Sequence, residues 1–271
     1  MTCTLVTAYY PITSKFSKER YMNWAATFLR IKSPIVLFTD KSMENMFRQM
    51  RGNLPIHIIV LPFHQLETWQ RYQLKWKEQH QMDPEKGHHT PELYTIWAEK
   101  PFFVENAIHA NPFHTDFFFW CDIGAFRDPH VSQTILDSFP TIRYLESDQI
   151  LFQSVGDVTP NDWIQRADGI RGEVISSTWN DIRLVGGLWG GGIKACLRWK
   201  NAYQQMLEAY FRVGRFAGKD QQVMLSAYLA EPTLAIVVRC TKPYIDEWFF
   251  LEHLLSDLSE RYELNSTYLM Q

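Results

Sequence analysis

The chain has 271 residues and a formal net charge of −3, so it has no basic excess to attract the phosphate backbone of a nucleic acid. Hydrophobic residues make up 46% of the sequence, which provides for a sizeable core and excludes a disordered chain. No segment reaches about 18 uncharged apolar residues, which excludes a membrane-spanning helix, and the N-terminus lacks the basic leader of a signal peptide. We therefore expect a cytoplasmic protein, and the widely spaced cysteines fit a reducing compartment.

The first sixty residues alternate between apolar runs and amphipathic stretches. The apolar runs predict strands at 4–8, 35–40 and 56–62, and the stretches between them predict helices at 17–29 and 41–51. Strands that alternate with helices are typical of a parallel sheet. The sequence therefore predicts an α/β fold with a Rossmann-type central sheet, mostly parallel and flanked by helices.

The most informative segment is an apolar run that ends at a single carboxylate, Asp122. Two predicted helices, at 66–82 and 94–110, lead to this run, and its residues 117–120 predict a fourth strand buried on both faces. A carboxylate where such a strand ends lies at the carboxyl edge of the sheet, where open α/β sheets bind ligands. Asp122 is therefore a candidate binding residue, and the alternative is an acid that caps the next turn.

The predicted elements of the second half of the chain are shorter and less regular. Short strands are predicted at 140–143 and 150–152, a loop and helix at 160–171, a glycine-rich strand at 184–192, helices at 197–213 and 219–229, a strand at 234–238, and a largely helical end at 244–263. There is no internal repeat and no low-complexity linker. We therefore expect a single domain over 1–271, built as two halves at 1–128 and 129–271.

Asp122 could hold a divalent cation or the ribose of a nucleoside diphosphate. Two further segments could contribute to chemistry beside it. The glycines of 186–192 would let another molecule approach the backbone, and Trp189 could offer a ring face to a sugar; the alternative is a bend with a core tryptophan. Asp220 opens a predicted helix and could act as a base toward a sugar hydroxyl; the alternative is an ordinary acid at a helix start.

Two other side chains are candidates of lower specificity. Lys100 lies midway along the helix that leads to the Asp122 strand, where it could pair with a diphosphate; the alternative is a lysine that extends from the core to solvent. His253, on an aromatic C-terminal stretch, could reach a metal from the opposite side, although a core-facing histidine is the commoner case. The glycines match neither a P-loop nor a dinucleotide-binding fingerprint.

These features together resemble a GT-A glycosyltransferase, and more narrowly the HtrL/YibB family of glycosyltransferase-like proteins. The most specific part of the resemblance is the segment 118–127, which contains Trp-Cys-Asp-Ile-Gly. The other segments that carry it are 4–10, 38–40, 93–103, 111–127, 185–192 and Asp220-Gln221.

The resemblance implies a nucleotide-sugar donor, most often a UDP-sugar, and a glycan or glycolipid acceptor that could also bring the protein to a membrane surface. It implies that Thr7, Ala8, Tyr9 and Asp40 surround the nucleoside, and with Lys100, Asp122 and Gly124 they form the predicted donor site. The predicted acceptor residues are Gly187, Trp189, Gly190 and Gln221. The resemblance also implies that Asp220 activates the acceptor hydroxyl, as in inverting enzymes.

The resemblance further implies Mn²⁺ or Mg²⁺ at Asp122, and His253, selected above from its position alone, is a second candidate ligand. The usual motif is Asp-x-Asp, whereas here Gly124 stands in place of the second acid. This departure keeps open a second hypothesis, a catalytically inactive protein that binds a nucleotide-sugar or a glycan. A different phosphate-handling α/β enzyme, such as a kinase or nucleotidyltransferase, is a third hypothesis, which the missing signatures disfavour.

Overall fold

Seven strands form a single mixed sheet in the computed structural model, which describes residues 3–142, 145, 148–172, 182–240 and 245–256. The strands are β1 (Cys3–Tyr9), β2 (Ile35–Thr39), β3 (Ile56–Val60), β4 (Phe117–Cys121), β5 (Ile150–Ser154), β6 (Leu188–Gly192) and β7 (Ala235–Arg239). Their order is β3-β2-β1-β4-β6-β5-β7. All pairings are parallel except those that β6 makes with β4 and β5. The predicted fold class is confirmed.

Helices cover both faces of this sheet. They are α1 (Lys18–Phe28), α2 (Lys41–Arg51), α3 (Glu67–Met82), α4 (Pro91–Ala110), α5 (Gln133–Ser138), α6 (Ile193–Val213), α7 (Asp220–Ala230) and α8 (Phe250–Leu254). Local signals explain several of their ends. The Oγ of Ser17 accepts a hydrogen bond from the backbone N–H of Arg20 at the start of α1, and Gly214 ends α6 with a φ of 73°.

The alternation of side chains along each strand divides the core into two layers. Val6 and Trp120 face the layer that contains α4, α6 and α7, whereas Leu5 and Phe119 face the layer that contains α1 and α2. Because both faces are covered, the central strands are apolar throughout, and every residue of β4 is buried. Strands from both predicted halves of the chain belong to this one sheet.

The glycines of β6 allow its backbone to approach the neighbouring strands. A Cβ at Gly190 would lie 2.3 Å from the carbonyl oxygen of Phe118, and one at Gly191 would lie 2.4 Å from that of Gln149. Any larger residue at these positions would push the strands apart. Gly190 therefore allows the close packing of the strands, and its role at an acceptor stays a prediction that this packing does not favour.

Trp189 is also a core residue, with 1% of its surface exposed. Its ring packs against Phe152 and Trp199, with centroids 6.2 and 6.4 Å away. A ring covered in this way offers no face to a sugar. The structure thus corresponds to the alternative of a core tryptophan, and the acceptor role of Trp189 stays a prediction that this packing does not favour.

Several predicted elements of the second half differ from the structure. Residues 140–142 form no strand, and 160–171 form turns without a helix because Asp162 and Asp168 accept local hydrogen bonds from the backbone. Near the end, a short 3-10 helix at Glu247–Phe249 precedes α8, where a longer helix was expected. The remaining parts of these predictions, at 143, 244 and 257–263, lie outside the described residues. None of the helices in the described ranges is both long and apolar enough to cross a membrane.

Candidate functional site

Two acids that are nearly a hundred positions apart in the sequence meet at one lysine. The Nζ of Lys100 lies 2.9 Å from Oδ2 of Asp220 and 3.3 Å from Oδ1 of Asp122. We call these three residues the acid–lysine cluster. The structure therefore brings together three of the residues that the sequence singled out.

Asp122 follows β4 directly and leaves the sheet at its carboxyl edge. Trp120 lies two positions earlier and so points to the same face, and its Nε1 donates a hydrogen bond of 2.7 Å to Oδ1 of Asp122. The backbone N–H of Asp122 donates to the carbonyl oxygen of Gly187 at 2.7 Å. These contacts fix the carboxylate in place, although 43% of its side-chain surface is exposed.

Asp220 is the first residue of α7, where the partial positive charge of the helix start favours a carboxylate. Its Oδ1 accepts a hydrogen bond of 2.9 Å from the backbone N–H of Gln221. Gly186 passes so close that a Cβ there would lie 2.6 Å from Oδ2 of Asp220. The carbonyl oxygen of Gly186 accepts a further hydrogen bond of 2.9 Å from Lys100. Gly186 therefore belongs to the cluster, whereas Gly190 belongs to the sheet.

The cluster is largely removed from water, and its charges compensate one another. The side chains of Lys100 and Asp220 are 5% and 8% exposed. Burial alone would lower the pKa of Lys100, but the charges of Asp122 and Asp220 outweigh it and hold that pKa above its usual value. Burial raises the pKa of Asp122; Lys100 opposes this effect and the charge of Asp220 adds to it. The pKa of Asp122 is therefore raised even though 43% of its side-chain surface is exposed.

One acceptor position in the cluster remains open. Oδ2 of Asp220 is buried and, within the part of the chain that the structure describes, its polar contact is with Nζ of Lys100 at 2.9 Å, which leaves one of its two lone pairs unused. A buried carboxylate oxygen with a spare lone pair is costly unless a donor arrives. The hydroxyl of a bound molecule is a suitable donor for it.

The donor set fits a divalent cation poorly. Among the described residues, no group of three or more His, Cys, Asp and Glu side chains is placed to hold a metal ion. The charges of Asp122 and Asp220 are already met by Lys100, and Gly124 supplies no ligand. His253 lies on α8 and is exposed. The Mn²⁺ or Mg²⁺ expected from the sequence, and the roles of Asp122 and His253 as its ligands, stay predictions that this arrangement does not favour.

Gly124 is packed against an aromatic ring. A Cβ at this position would lie 3.0 Å from Cε3 of Trp24 and 3.6 Å from Cδ1 of Tyr21, both on α1. A side chain here would require the indole to shift by a few tenths of an ångström. The structure thus gives a packing reason for glycine at this position, which the sequence pattern alone did not show.

The predicted nucleoside residues lie along the same edge of the sheet, but their side chains are mostly covered. Val6 is paired with Trp120, so Ala8 and Asp122 leave their parallel strands at the same edge. Thr7, Ala8 and Tyr9 are at most 8% exposed. Thr7 Oγ1 is buried and, among the described residues, has no hydrogen-bond partner. Their donor-binding roles stay predictions.

Three other predicted residues have placements that leave their roles untested. Asp40 follows β2, and its Oδ1 accepts a hydrogen bond of 3.3 Å from the backbone N–H of Phe63. Gly187 lies beside Asp122, because a Cβ there would be 3.3 Å from Oδ2 of that residue. Gln221 is half-buried at the start of α7. Their binding roles stay predictions.

A group of basic and aromatic side chains beside Asp122 was not selected from the sequence. The Cζ of Arg127 lies 4.6 Å from the ring centroid of Trp24 and 5.0 Å from that of Phe249, and the Cζ of Arg20 lies 5.1 Å from that of Trp24. We call Phe16, Arg20, Trp24, Arg127 and Phe249 the arginine–aromatic patch. Arg127 closes the segment 118–127, but only the fold brings it to the rings of α1.

The loop before Asp220 is held by the helical hairpin of α3 and α4, another arrangement that the sequence did not reveal. Gln79 accepts a hydrogen bond of 2.6 Å from the backbone N–H of Ala217, and a Cβ at Gly218 would lie 3.0 Å from the ring of Tyr94. Lys219 contacts the carboxylate of Glu85. The start of α7 is therefore positioned from the same side of the sheet that carries Lys100.

Comparison with known proteins identifies the fold but no sequence family. No family model matches the chain, and no curated protein matches it. Core-mannan synthase A from Aspergillus fumigatus, in a form with Mn and GDP, superimposes with a TM-score of 0.50 at 11% identity, covering 93% of this chain and 82% of that chain. At this identity the likeness shows a shared GT-A-like fold.

Two further solved structures are similar. Mouse xyloside xylosyltransferase 1, in its apo form, has a TM-score of 0.48 at 13% identity, covering 89% of this chain and 86% of that chain. The 4-diphosphocytidyl-2C-methyl-D-erythritol synthase from Anaerococcus prevotii has a TM-score of 0.43 at 10% identity, covering 94% of this chain and 96% of that chain. The narrower resemblance to HtrL/YibB receives no support from these comparisons.

Proposed function

We propose that this protein is a glycosyltransferase that moves a sugar from a nucleotide-diphosphate sugar, such as a UDP-sugar, to a hydroxyl of a glycan or glycolipid. The observation that carries the proposal is the meeting of Asp122 and Asp220 at Lys100, at the sheet edge where open α/β folds bind ligands. The GT-A-like fold supports the same class of donor. Because Lys100 contacts both acids, an acceptor hydroxyl that donates to the open Oδ2 of Asp220 also lies near the exposed carboxylate of Asp122.

In the proposed reaction Asp220 is the base. The acceptor hydroxyl attacks the anomeric carbon, its proton passes to Oδ2 of Asp220, and the bond from that carbon to the diphosphate oxygen breaks with inversion. The electron pair leaves on the nucleoside diphosphate. Lys100 holds both carboxylates in position and remains their counter-ion, so Asp220 accepts the proton late, as the hydroxyl becomes acidic in the transition state.

The test is Asp220→Asn, assayed with a panel of nucleotide-sugars and glycan acceptors. Loss of the base should reduce turnover by about 100-fold to 10,000-fold while donor affinity stays within about twofold. Asp137→Asn is the matched control, because Asp137 is an exposed acid on α5 that pairs with Lys32. Near-normal turnover of Asp220→Asn would remove this residue from the role.

A second candidate is an inactive protein that binds a nucleotide-sugar or a glycan. The observation that favours it is Gly124, which packs against Trp24 where the second acid of Asp-x-Asp would stand. Slow release of UDP from a UDP-sugar without acceptor separates the two candidates. An enzyme releases UDP by hydrolysis, and Asp122→Ala reduces this release, whereas a binding protein shifts its melting temperature with the donor and releases none.

A further inference from the structure

Two arginines from distant parts of the chain share the same aromatic rings. The Cζ of Arg127 lies 4.6 Å from the centroid of Trp24 and 5.8 Å from that of Phe16. The Cζ of Arg20 lies 5.1 and 4.7 Å from the same two centroids. Contact with the same rings restricts both guanidiniums, so both are held around Trp24 and Phe16 before any ligand arrives.

The hydrogen-bond donors of these arginines are mostly unused. The Nε of Arg127 donates to the carbonyl oxygen of Gly124 at 3.2 Å. Within the described ranges, the Nη atoms of Arg127 and the guanidinium of Arg20 make no hydrogen bond and no ion pair, and both residues are exposed. Two cations held around the same rings, each with free donors, offer a site for an anion with several oxygens.

Glu252 is an acid whose pKa is affected by the charge of Arg127. Burial raises the pKa of Glu252 well above its usual range, and Arg127 opposes this effect while Asp246 adds to it. No ion pair joins Glu252 and Arg127 in the described part of the chain, so this acid leaves the Nη donors of Arg127 unused.

The arginine–aromatic patch is continuous with the acid–lysine cluster. Gly124, whose carbonyl holds Arg127, lies two residues after Asp122 and packs against Trp24. Burial raises the pKa of Tyr21, and the charges of Asp122, Arg127 and Lys100 all act on the same hydroxyl. The turn after Asp122 thus connects the two regions, because Gly124 contacts Arg127 through its carbonyl oxygen and packs against Trp24 and Tyr21.

We infer that Arg20 and Arg127 bind the diphosphate of the nucleotide-sugar and take over the charge neutralisation that a metal held by a second acid at position 124 would provide. The inference rests on the proposed function and names how that site holds its donor. When the bond between the anomeric carbon and the diphosphate oxygen breaks, its electron pair stays on that oxygen. Two guanidiniums stabilise this added charge by ionic hydrogen bonds, and no proton transfer to the leaving group is required.

The test is calorimetry in EDTA with UDP and GDP as probes, and with uridine and guanosine as matched ligands that lack the diphosphate. Arg20→Gln and Arg127→Gln should each weaken diphosphate binding at least about tenfold, and the double variant about 100-fold, because each removes charged hydrogen bonds. Nucleoside affinity should not change. Arg198→Gln is the control, since Arg198 is an exposed arginine on α6 that pairs with Glu231.

Equal affinity of the double variant and the wild type would overturn the inference. So would wild-type binding that disappears in EDTA and returns with Mn²⁺. Pyrophosphate separates this result from failure of the proposed function. If neither nucleotide binds the wild type but pyrophosphate does, and the double variant loses it, the anion site stands and the nucleotide-sugar function fails. If pyrophosphate does not bind either, both are wrong.

Discussion

The acid–lysine cluster and the arginine–aromatic patch lie on the two sides of the turn after β4, and they handle charge in different ways. In the cluster, Lys100 is 5% exposed, and its charge is met by Asp122 and Asp220. In the patch, Arg20 and Arg127 are exposed and stack on rings without a carboxylate partner among the described residues. Buried charges must compensate one another for the fold to be stable, whereas exposed charges are solvated and remain available to a ligand.

The largest effect on stability is expected when the charge of the buried cluster is removed. Lys100→Met leaves two neighbouring carboxylates without their counter-ion and should lower the free energy of unfolding by about 3 kcal/mol at neutral pH. The deficit should shrink as the pH falls, because burial raises the pKa of Asp122 and the loss of Lys100 removes the charge that opposes this increase, so this carboxylate is protonated more readily. Urea unfolding at pH 7.5 and 5 measures both effects.

Lys41→Met is the control for that variant, because Lys41 is an exposed lysine that pairs with Glu44 on α2. It should change stability by no more than about 0.5 kcal/mol. If Lys100→Met were as stable as Lys41→Met at both pH values, the cluster would not contribute to the fold as described.

A pH-dependent effect is expected from the acid next to Lys100. Burial raises the pKa of Glu99 to about 7, even though hydrogen bonds from Thr68 and Glu67 oppose the increase. Because this folded-state value lies above that of the unfolded chain, the stabilisation is complete below pH 4.5 and is lost as the pH rises through 7. The loss amounts to about 3 kcal/mol.

Glu99→Gln should remove this part of the pH dependence. Urea unfolding at pH 4.5 and pH 8 should show a smaller difference for the variant than for the wild type. Identical slopes for the two proteins would contradict the assignment.

A smaller, graded effect is expected from the glycines beside the acids. Gly186→Ala places a Cβ 2.6 Å from Oδ2 of Asp220, so the carboxylate must move, and stability should fall by about 1–3 kcal/mol. Gly187→Ala meets Asp122 at 3.3 Å and should cost less. Gly87→Ala is the control, since nothing lies within 4 Å of its Cβ position. Thermal unfolding of the three variants should rank them in this order, and a reversed order would contradict the close contact with Asp220.

The smallest effect on stability is expected in the patch. Arg20→Gln and Arg127→Gln should each change the free energy of unfolding by no more than about 0.5 kcal/mol, because exposed cation–ring contacts contribute little. Their unfolding curves should therefore overlay that of the wild type. A loss comparable with that of Lys100→Met would show that the patch is part of the structure and not a surface kept for a ligand.

Local patterns along the chain determined the α/β class, the positions of most strands and helices, and the two acids. An apolar run ending at Asp122 and a helix beginning at Asp220 can be read directly, because burial and helix starts leave periodic, short-range signals. The same signals predicted that Lys100 lies on a helix. They did not show whether its side chain points to solvent or into a binding site.

Only the tertiary structure decided which of these residues meet. Because β6 pairs antiparallel with β4, Gly190 and Trp189 lie in the core and Gly186 lies beside Asp220. The packing of α1 against the turn after Asp122 brings Trp24 to Gly124. Such contacts depend on strand order and on side chains far apart in the sequence, and no periodicity within one element encodes them.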